Sequence, residues 1–433
     1  MPVPVHNTRA AAGARTPRCG EKPTEPKSAG FVFALGFAQF GLYVALLGPV
    51  MVSMALKVAT LTDVATERTA ALGTILGPGA IAAVVANVVF GRLSDRTTSR
   101  FGRRKPWIVG GAVAMALALL WVSQAGSVPG LLIGWVAAQL AANACFSPFI
   151  ATLSDQLPEK QHAKVSAMVG IMQNVGILGA TQIASALTDD MLLLFAVPAA
   201  IGVIGMLIYA AVLPDPVLEA KPGRLDFREL LRTFWVNPLR HPDFGLAWAS
   251  RFCVILASFL FTTFRFNFLV DRLGLDDTAA AGAVATATLV YTIALVGAGW
   301  LAGVISDRTG KRKSMVAASA LLFGIGTAML AHTDTLTAFY LVEAIMGVAY
   351  GIYVSVDMAL VLEVLPDPDD AGKDLGVFNI ANALPQSAAP FLGAMLLGAG
   401  AAAGGPNYSL LLWAAGLVCL AGALVILPIK KVR

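Results

Sequence analysis

With 433 residues, 57% of them hydrophobic and only 13% charged, and a mean hydropathy of +0.74, the chain is too apolar for a water-soluble globular protein and reads as an all-α polytopic membrane protein. The net charge of +5 does not point to nucleic acid, because the basic residues cluster at the ends of apolar runs. Cys19, Cys145, Cys253 and Cys419 are too scattered for a disulfide framework or a metal site, so neither metal nor cofactor is expected.

Residues 1–30 carry Arg9, Arg15, Arg18, Lys22 and Lys27 among prolines and lack the apolar core of a signal peptide, so a disordered cytosolic tail is expected. Twelve stretches then approach the roughly 20 apolar residues of a spanning helix. They lie near Phe31–Ala55, Ala70–Phe90, Trp107–Gln124, Val128–Leu153, Val165–Leu187, Met191–Leu213, Phe244–Leu269, Ala279–Ile305, Met315–Ala331, Leu336–Leu362, Gly376–Leu397 and Tyr408–Ile429. This divides the chain into a six-helix bundle over 31–213, a cytosolic linker over 214–243 and a second six-helix bundle over 244–433. The linker is rich in proline and charge, with Arg224, Arg228 and Arg232 on an expected amphipathic helix. Pro49, Pro78, Pro148, Pro198, Pro385 and Pro390 are expected to kink their helices.

Between the second and third spans, Gly91–Gly111 (GRLSDRTTSRFGRRKPWIVGG) holds Arg92, Arg96, Arg100, Arg103, Arg104 and Lys105, and so short a basic loop stays on the inner side of a membrane. Threading from there puts both termini in the cytoplasm and leaves Lys57, Arg68 and Arg272 in outer loops, with Lys430, Lys431 and Arg433 inside. Gly303–Thr309 repeats Gly91–Thr97 at an offset of 303 − 91 = 212. Asp155-Gln156-Leu157-Pro158 corresponds to Glu363-Val364-Leu365-Pro366 at 363 − 155 = 208, an offset shared by Asn174 and Asn382.

The pattern Gly-x-x-x-Asp-Arg-x-x-x-Arg-x-Gly-Arg-Arg closely resembles the loop between the second and third helices of major facilitator superfamily transporters. The string Ser94–Arg104 looks most like the sucrose and glycoside-pentoside-hexuronide cation symporter branches. The resemblance implies two pseudo-symmetric six-helix bundles that open alternately to either face around a midplane site. It also implies inner-face charge clusters, Asp95 and Arg96 with Asp155 and Asp307 and Arg308 with Glu363, that hold the outward-open state. Gly91, Arg100, Gly102, Arg103 and Gly303 complete the two copies of the motif, and Gly91 is read as letting two helices approach closely. Arg103, Arg104 and Lys105 are read as setting topology.

Four charges lie within spanning segments, where each needs a partner or a watery cavity. Arg251 and Arg265 are 265 − 251 = 14 residues apart on the seventh span, and Glu343 and Asp357 are 357 − 343 = 14 apart on the tenth. Fourteen residues is about four turns, so each pair shares a face. The two spans run in opposite directions, which matches Arg265 with Glu343 near the outer end and Arg251 with Asp357 near the inner end. In the resembled superfamily the first, fourth, seventh and tenth helices line the central cavity, so these rungs would face substrate; the alternative is that they anchor their helices by snorkelling. Because His6, His162 and His241 fall in cytosolic segments and His332 near an outer end, the coupling group is expected to be Glu343 or Asp357.

Among Gln39, Asn87, Asn143, Gln173, Asn174, Asn267, Asn379, Asn382 and Gln386, most read as bridges between helices. Gln39 and Tyr43 on the first span, Asn143 on the fourth, and Asn382 with Gln386 on the eleventh are the substrate-binding candidates, because sugar hydroxyls take amide partners and aromatic faces. Trp121, Trp135, Trp300 and Trp413 read as interfacial or packing residues. The resulting expectation is a monomeric secondary transporter of the cell membrane, a symporter of a sugar, glycoside or similar small polar solute, with a proton or alternatively sodium as the coupling ion. A drug or metabolite efflux antiporter and a non-transporting sensor are the alternatives. An enzyme is disfavoured by the lack of a histidine or cysteine cluster, a nucleotide loop or nucleophile-base spacing.

Overall fold

The computed structural model describes residues 25–218, 240–366, 371–401 and 405–430. Twelve helices among them are long and apolar enough to cross a membrane: α1 (Ala29–Ala59), α2 (Ala65–Asp95), α3 (Lys105–Gln124), α4 (Val128–Gln156), α5 (Glu159–Ala186), α6 (Met191–Val212), α7 (Pro242–Asp271), α8 (Asp277–Thr309), α9 (Arg312–Leu330), α10 (Leu336–Val364), α11 (Ala371–Gly398) and α12 (Tyr408–Val425). They alternate in direction. One end of the bundle, here the terminal end, carries the start of α1, Lys430 beyond α12 and the Thr97–Arg104 loop, and the other is the far end.

The far-end turns are short because side chains close them. Ser127, Asp190, Asp276, Thr335 and Asn407 each accept a backbone N–H in the first turn of α4, α6, α8, α10 and α12. That satisfies donors a helix start leaves open and stabilises each start by about 1 kcal/mol.

In the first half α1 packs on α5 and α6, α2 on α4, and α3 on α4 and α6. Adding six to every label gives the packing of the second half: α7 on α11 and α12, α8 on α10, and α9 on α10 and α12. The sequence repeat is thus a repeat of structure. Small residues permit this closeness, as where Gly41 lies 2.7 Å, at the position of an added Cβ, from the Ile201 carbonyl, and where Gly351 lies against Leu295.

The halves meet where α2 packs on α11 and α5 on α8. The hydrogen bonds described across this boundary lie in the far half of the bundle. Ser387 Oγ donates to the Ala80 carbonyl at 3.0 Å, and Gln182 Nε2 donates to the Ala285 carbonyl at 3.1 Å. Beyond them Gly73 sits against Ala394 and the Pro390 carbonyl with no room for a side chain.

Several expectations need correction. The helices outrun the apolar stretches, so Asp95 is the last residue of α2 and the second copy of the motif, through Thr309, is helix and not loop. Helix persists because charged side chains at the terminal end reach water without breaking backbone bonds. Lys57 is not in a loop: it lies in α1, buried, and its Nζ donates to the Ser123 carbonyl at 2.8 Å, capping the C-terminus of α3. Besides these corrections, Pro49 opens a π-helical turn, Pro49–Ser53, and the helices run on through Pro78, Pro148, Pro198, Pro385 and Pro390. The tail up to residue 24, with Arg9, Arg15, Arg18, Lys22, His6 and Cys19, lies outside the described residues. So do Arg224, Arg228 and Arg232 of the linker, Lys431 and Arg433, and the side chains of His162 and Asn379.

Candidate functional site

Arg265 of α7 and Glu343 of α10 meet with Nη1 3.1 Å from Oε1. The arginine's other nitrogen, Nη2, donates to Thr288 Oγ1 of α8 at 2.8 Å and lies 3.7 Å from Met51 Sδ of α1. Arg265 is 5% exposed and Glu343 1%. Nearer the terminal end, Arg251 Nη2 donates to Asp357 Oδ2, and the guanidinium sits 4.4 Å from the Phe378 ring centroid. Arg251 and Asp357 are also buried, so neither rung is a pair of side chains reaching for the interface. A buried ion pair offsets its own desolvation only when geometry and further hydrogen bonds are good, and removing one partner leaves a costly charge.

Tyrosines extend this site, and the sequence reading passed over them. Tyr353 is buried within electrostatic reach of Arg251 and Asp357, while Tyr350 lies 5.8 Å from Tyr353 and 6.3 Å from Tyr291 of α8 between ring centroids. The signal was present: positions 343, 350, 353 and 357 fall on one face of a helix with 3.6 residues per turn.

At the terminal end, Arg104 organises a second cluster. Its Nη2 lies 2.6 Å from Asp95 Oδ1, its Nε 3.1 Å from Asp155 Oδ2, and its Nη1 donates to Ser94 Oγ at 2.5 Å; Arg103 reaches the same Asp155 oxygen at 2.8 Å. Arg104 is only 5% exposed, which corrects its reading as a topology-setting loop residue. The loop folds it inward because Gly102 takes φ +100°, a conformation open to glycine, against the carboxylate of Asp215. That carboxylate accepts the backbone N–H groups of Arg104 and Lys105, both at 2.7 Å, at the start of α3. Asp215 stands 111 residues from Arg104 and no local pattern announces it.

The second copy is built differently. Glu363 pairs with Arg312 at the start of α9, while Asp307 and Arg308 are exposed and form no ion pair among the described residues, contrary to the expected grouping. α8 continues to Thr309, and both side chains lie on its exposed surface. Gly91 lies 2.7 Å, at the position of an added Cβ, from Ser147 Oγ of α4, whereas nothing lies within 4 Å of such a Cβ at Gly303. Arg100 is exposed and rests on the Phe101 ring.

The substrate candidates are dispersed. Gln39 is buried with no hydrogen bond to Oε1 among the described residues, and Tyr43 stands edge-on to Phe146 with ring centroids 6.4 Å apart. Asn143 accepts from Asn87 at 3.3 Å and donates to the Gln139 carbonyl at 2.9 Å, so it binds α2 to α4. Asn382 is half-buried and Gln386 exposed on α11. Trp135 is buried against Gly79, while Trp121, Trp300 and Trp413 are exposed on the outside of the bundle. Among the described residues no group of histidine, cysteine, aspartate and glutamate is arranged to hold a metal ion.

A family profile described as Major Facilitator Superfamily matches residues 29–390, with a second match over 278–433. Over 95 residues the chain is 38% identical to an uncharacterized symporter of Synechocystis sp., a match covering 20% of this chain and 18% of that protein's length. The fold resembles the nucleoside transporter NupG with a TM-score of 0.69 at 14% identity, covering 93% of this chain and 99% of that one. It also resembles a bacterial homolog of the human lysosomal transporter Spinster in an inward-facing, unoccupied conformation, with a TM-score of 0.66 at 14% identity over 92% of this chain and 95% of that one.

Proposed function

The chain belongs to the Major Facilitator Superfamily of membrane transporters, and on that footing we propose that it is a secondary symporter that couples a proton to the movement of a sugar, glycoside or similar small polar solute. The observation that carries this reading is the pair of buried ion pairs between α7 and α10, Arg265 with Glu343 and Arg251 with Asp357. Carboxylates held in so dry a place are the groups through which proton gain and loss can change helix packing, because either change leaves an arginine differently paired. The 95-residue likeness to a symporter supports the cation-coupled reading. The repeated packing of the two halves supports alternating access about a site between them.

In this account Glu343 and Asp357 are the coupling carboxylates, Gln39, Tyr43, Asn382 and Gln386 offer polar and aromatic contacts to solute, and the Arg104 cluster sets the balance between the two open states. The basic loops support a cytoplasmic terminal end, and in this account the protein works in the cell membrane as a monomer. The test is uptake by purified protein in liposomes, with a panel of radiolabelled glycosides beginning with sucrose. An inward proton gradient is compared with an inward sodium gradient. Accumulation under the proton gradient alone supports the reading, and accumulation under sodium alone replaces the coupling ion.

A further inference from the structure

Resting on that proton-coupled reading, we propose that Met51 is the seal that keeps the far-side solution away from the Arg265–Glu343 pair. Met51 belongs to the first half of the protein and Arg265 to the second, so the 3.7 Å approach of its sulfur to Nη2 crosses the boundary between halves. The rest of the pair's polar environment is second-half structure: Glu343 on α10 and Thr288 on α8. Met51 is therefore the one described partner of this guanidinium that must leave when the halves part at the far end.

Two independent features say that this contact is built and not incidental. Met51 is presented by the π-helical turn Pro49–Ser53, a form seldom adopted and frequently found at functional sites, which re-aims the side chains of α1 at this level. The repeat offset also sets α1 against its own counterpart α7 here, because 265 − 212 = 53 makes Ser53, two residues from Met51, the counterpart of Arg265. Related positions on α1 and α7 meet only where both approach the axis relating the halves. A thioether suits the role. It is flexible, apolar enough to exclude water, and so weak an acceptor that the contact can be made and broken in each cycle.

The consequence is directional. With the far end closed, Met51 covers a pair that is 5% and 1% exposed. For a symporter the proton on Glu343 must exchange with the terminal end alone in this state, while Arg265 keeps its charge. Without the Met51 side chain, a far-side proton could reach the Glu343 carboxylate in the same state, and both solutions would then exchange protons through one group. Met51 thus acts through Arg265 and Glu343 as a positioning residue.

The test needs no solute. Liposomes holding the protein and an internal pH dye are given a potassium diffusion potential, and proton entry is recorded for wild type, Met51→Leu, Met51→Ala and Met51→Ala with Glu343→Gln. The seal predicts that Met51→Ala conducts protons, that wild type and Met51→Leu stay tight, and that the double variant is tight again. The rescue by leucine separates sealing from folding. A tight Met51→Ala protein, or a leak that survives Glu343→Gln, overturns the proposal. If Met51→Ala leaks through Glu343 while wild type shows no proton-driven uptake, the seal stands and the coupling reading falls.

Discussion

Arg265 and Glu343, 78 residues apart in the chain, are joined at 3.1 Å inside the second half of the bundle. Removing either partner strands the other in a dry place, so Arg265→Ala and Glu343→Ala should each destabilise the protein by about 3–5 kcal/mol. The double substitution should be milder than the sum of the singles. Exchanging the two residues should restore expression. Detergent-solubilised unfolding midpoints check this, and a double variant as damaged as the summed singles contradicts the pairing.

The Arg104 cluster separates two aspartates that the repeated motif treats alike. Asp95→Asn removes a charge held 2.6 Å from a buried guanidinium and should slow turnover while leaving solute binding intact, because the midplane site is untouched. Asp307→Asn should change little, since that side chain is exposed. Parallel transport rates and binding isotherms decide the matter, and equal damage from both substitutions would favour the symmetric latch.

Far-end closure depends on bare backbone at Gly73, which faces Ala394 and the Pro390 carbonyl. Gly73→Val should therefore hold the far end open, whereas Gly303→Ala, with nothing in its way, should be tolerated. Reaction of a cysteine introduced at the far end with a membrane-impermeant thiol reagent should rise in the Gly73 variant and stay unchanged in the Gly303 variant.

Asp215 caps the start of α3 through two backbone hydrogen bonds at 2.7 Å. Replacing it with alanine should destabilise by about 1 kcal/mol. Thermal unfolding should show the loss, and the Asp95–Arg104 pair should loosen with it because the same loop carries Arg104.

Much of this could be read in the chain before the structure. Twelve spans follow from apolar length alone, since the bilayer leaves no other way to satisfy backbone groups. The rungs followed from two spacings of fourteen residues on antiparallel helices, where α-helical periodicity fixes the face and span direction fixes the depth. The terminal-end clusters were legible only in outline. That Arg104 turns inward depends on a positive φ at Gly102 and on a carboxylate beyond α6, and neither leaves a trace in the local pattern. Arg312, at the start of α9, stands in place of the expected partners of Glu363, and no local pattern announces that pairing. Met51 was invisible for a different reason: an apolar residue in an apolar span acquires meaning only from the turn that presents it and the half it crosses to.

The central claim is that buried carboxylates of the second half couple proton movement to solute movement. The most direct measurement follows the radiolabelled glycoside taken up by wild type in liposomes carrying Glu343→Gln or Asp357→Asn, recording accumulation under a proton gradient beside equilibrium exchange without one. The account predicts that at least one substitution abolishes accumulation while exchange continues, because the neutral side chain still permits the two open states but no longer carries a proton. Accumulation by both variants at the wild-type level would contradict it.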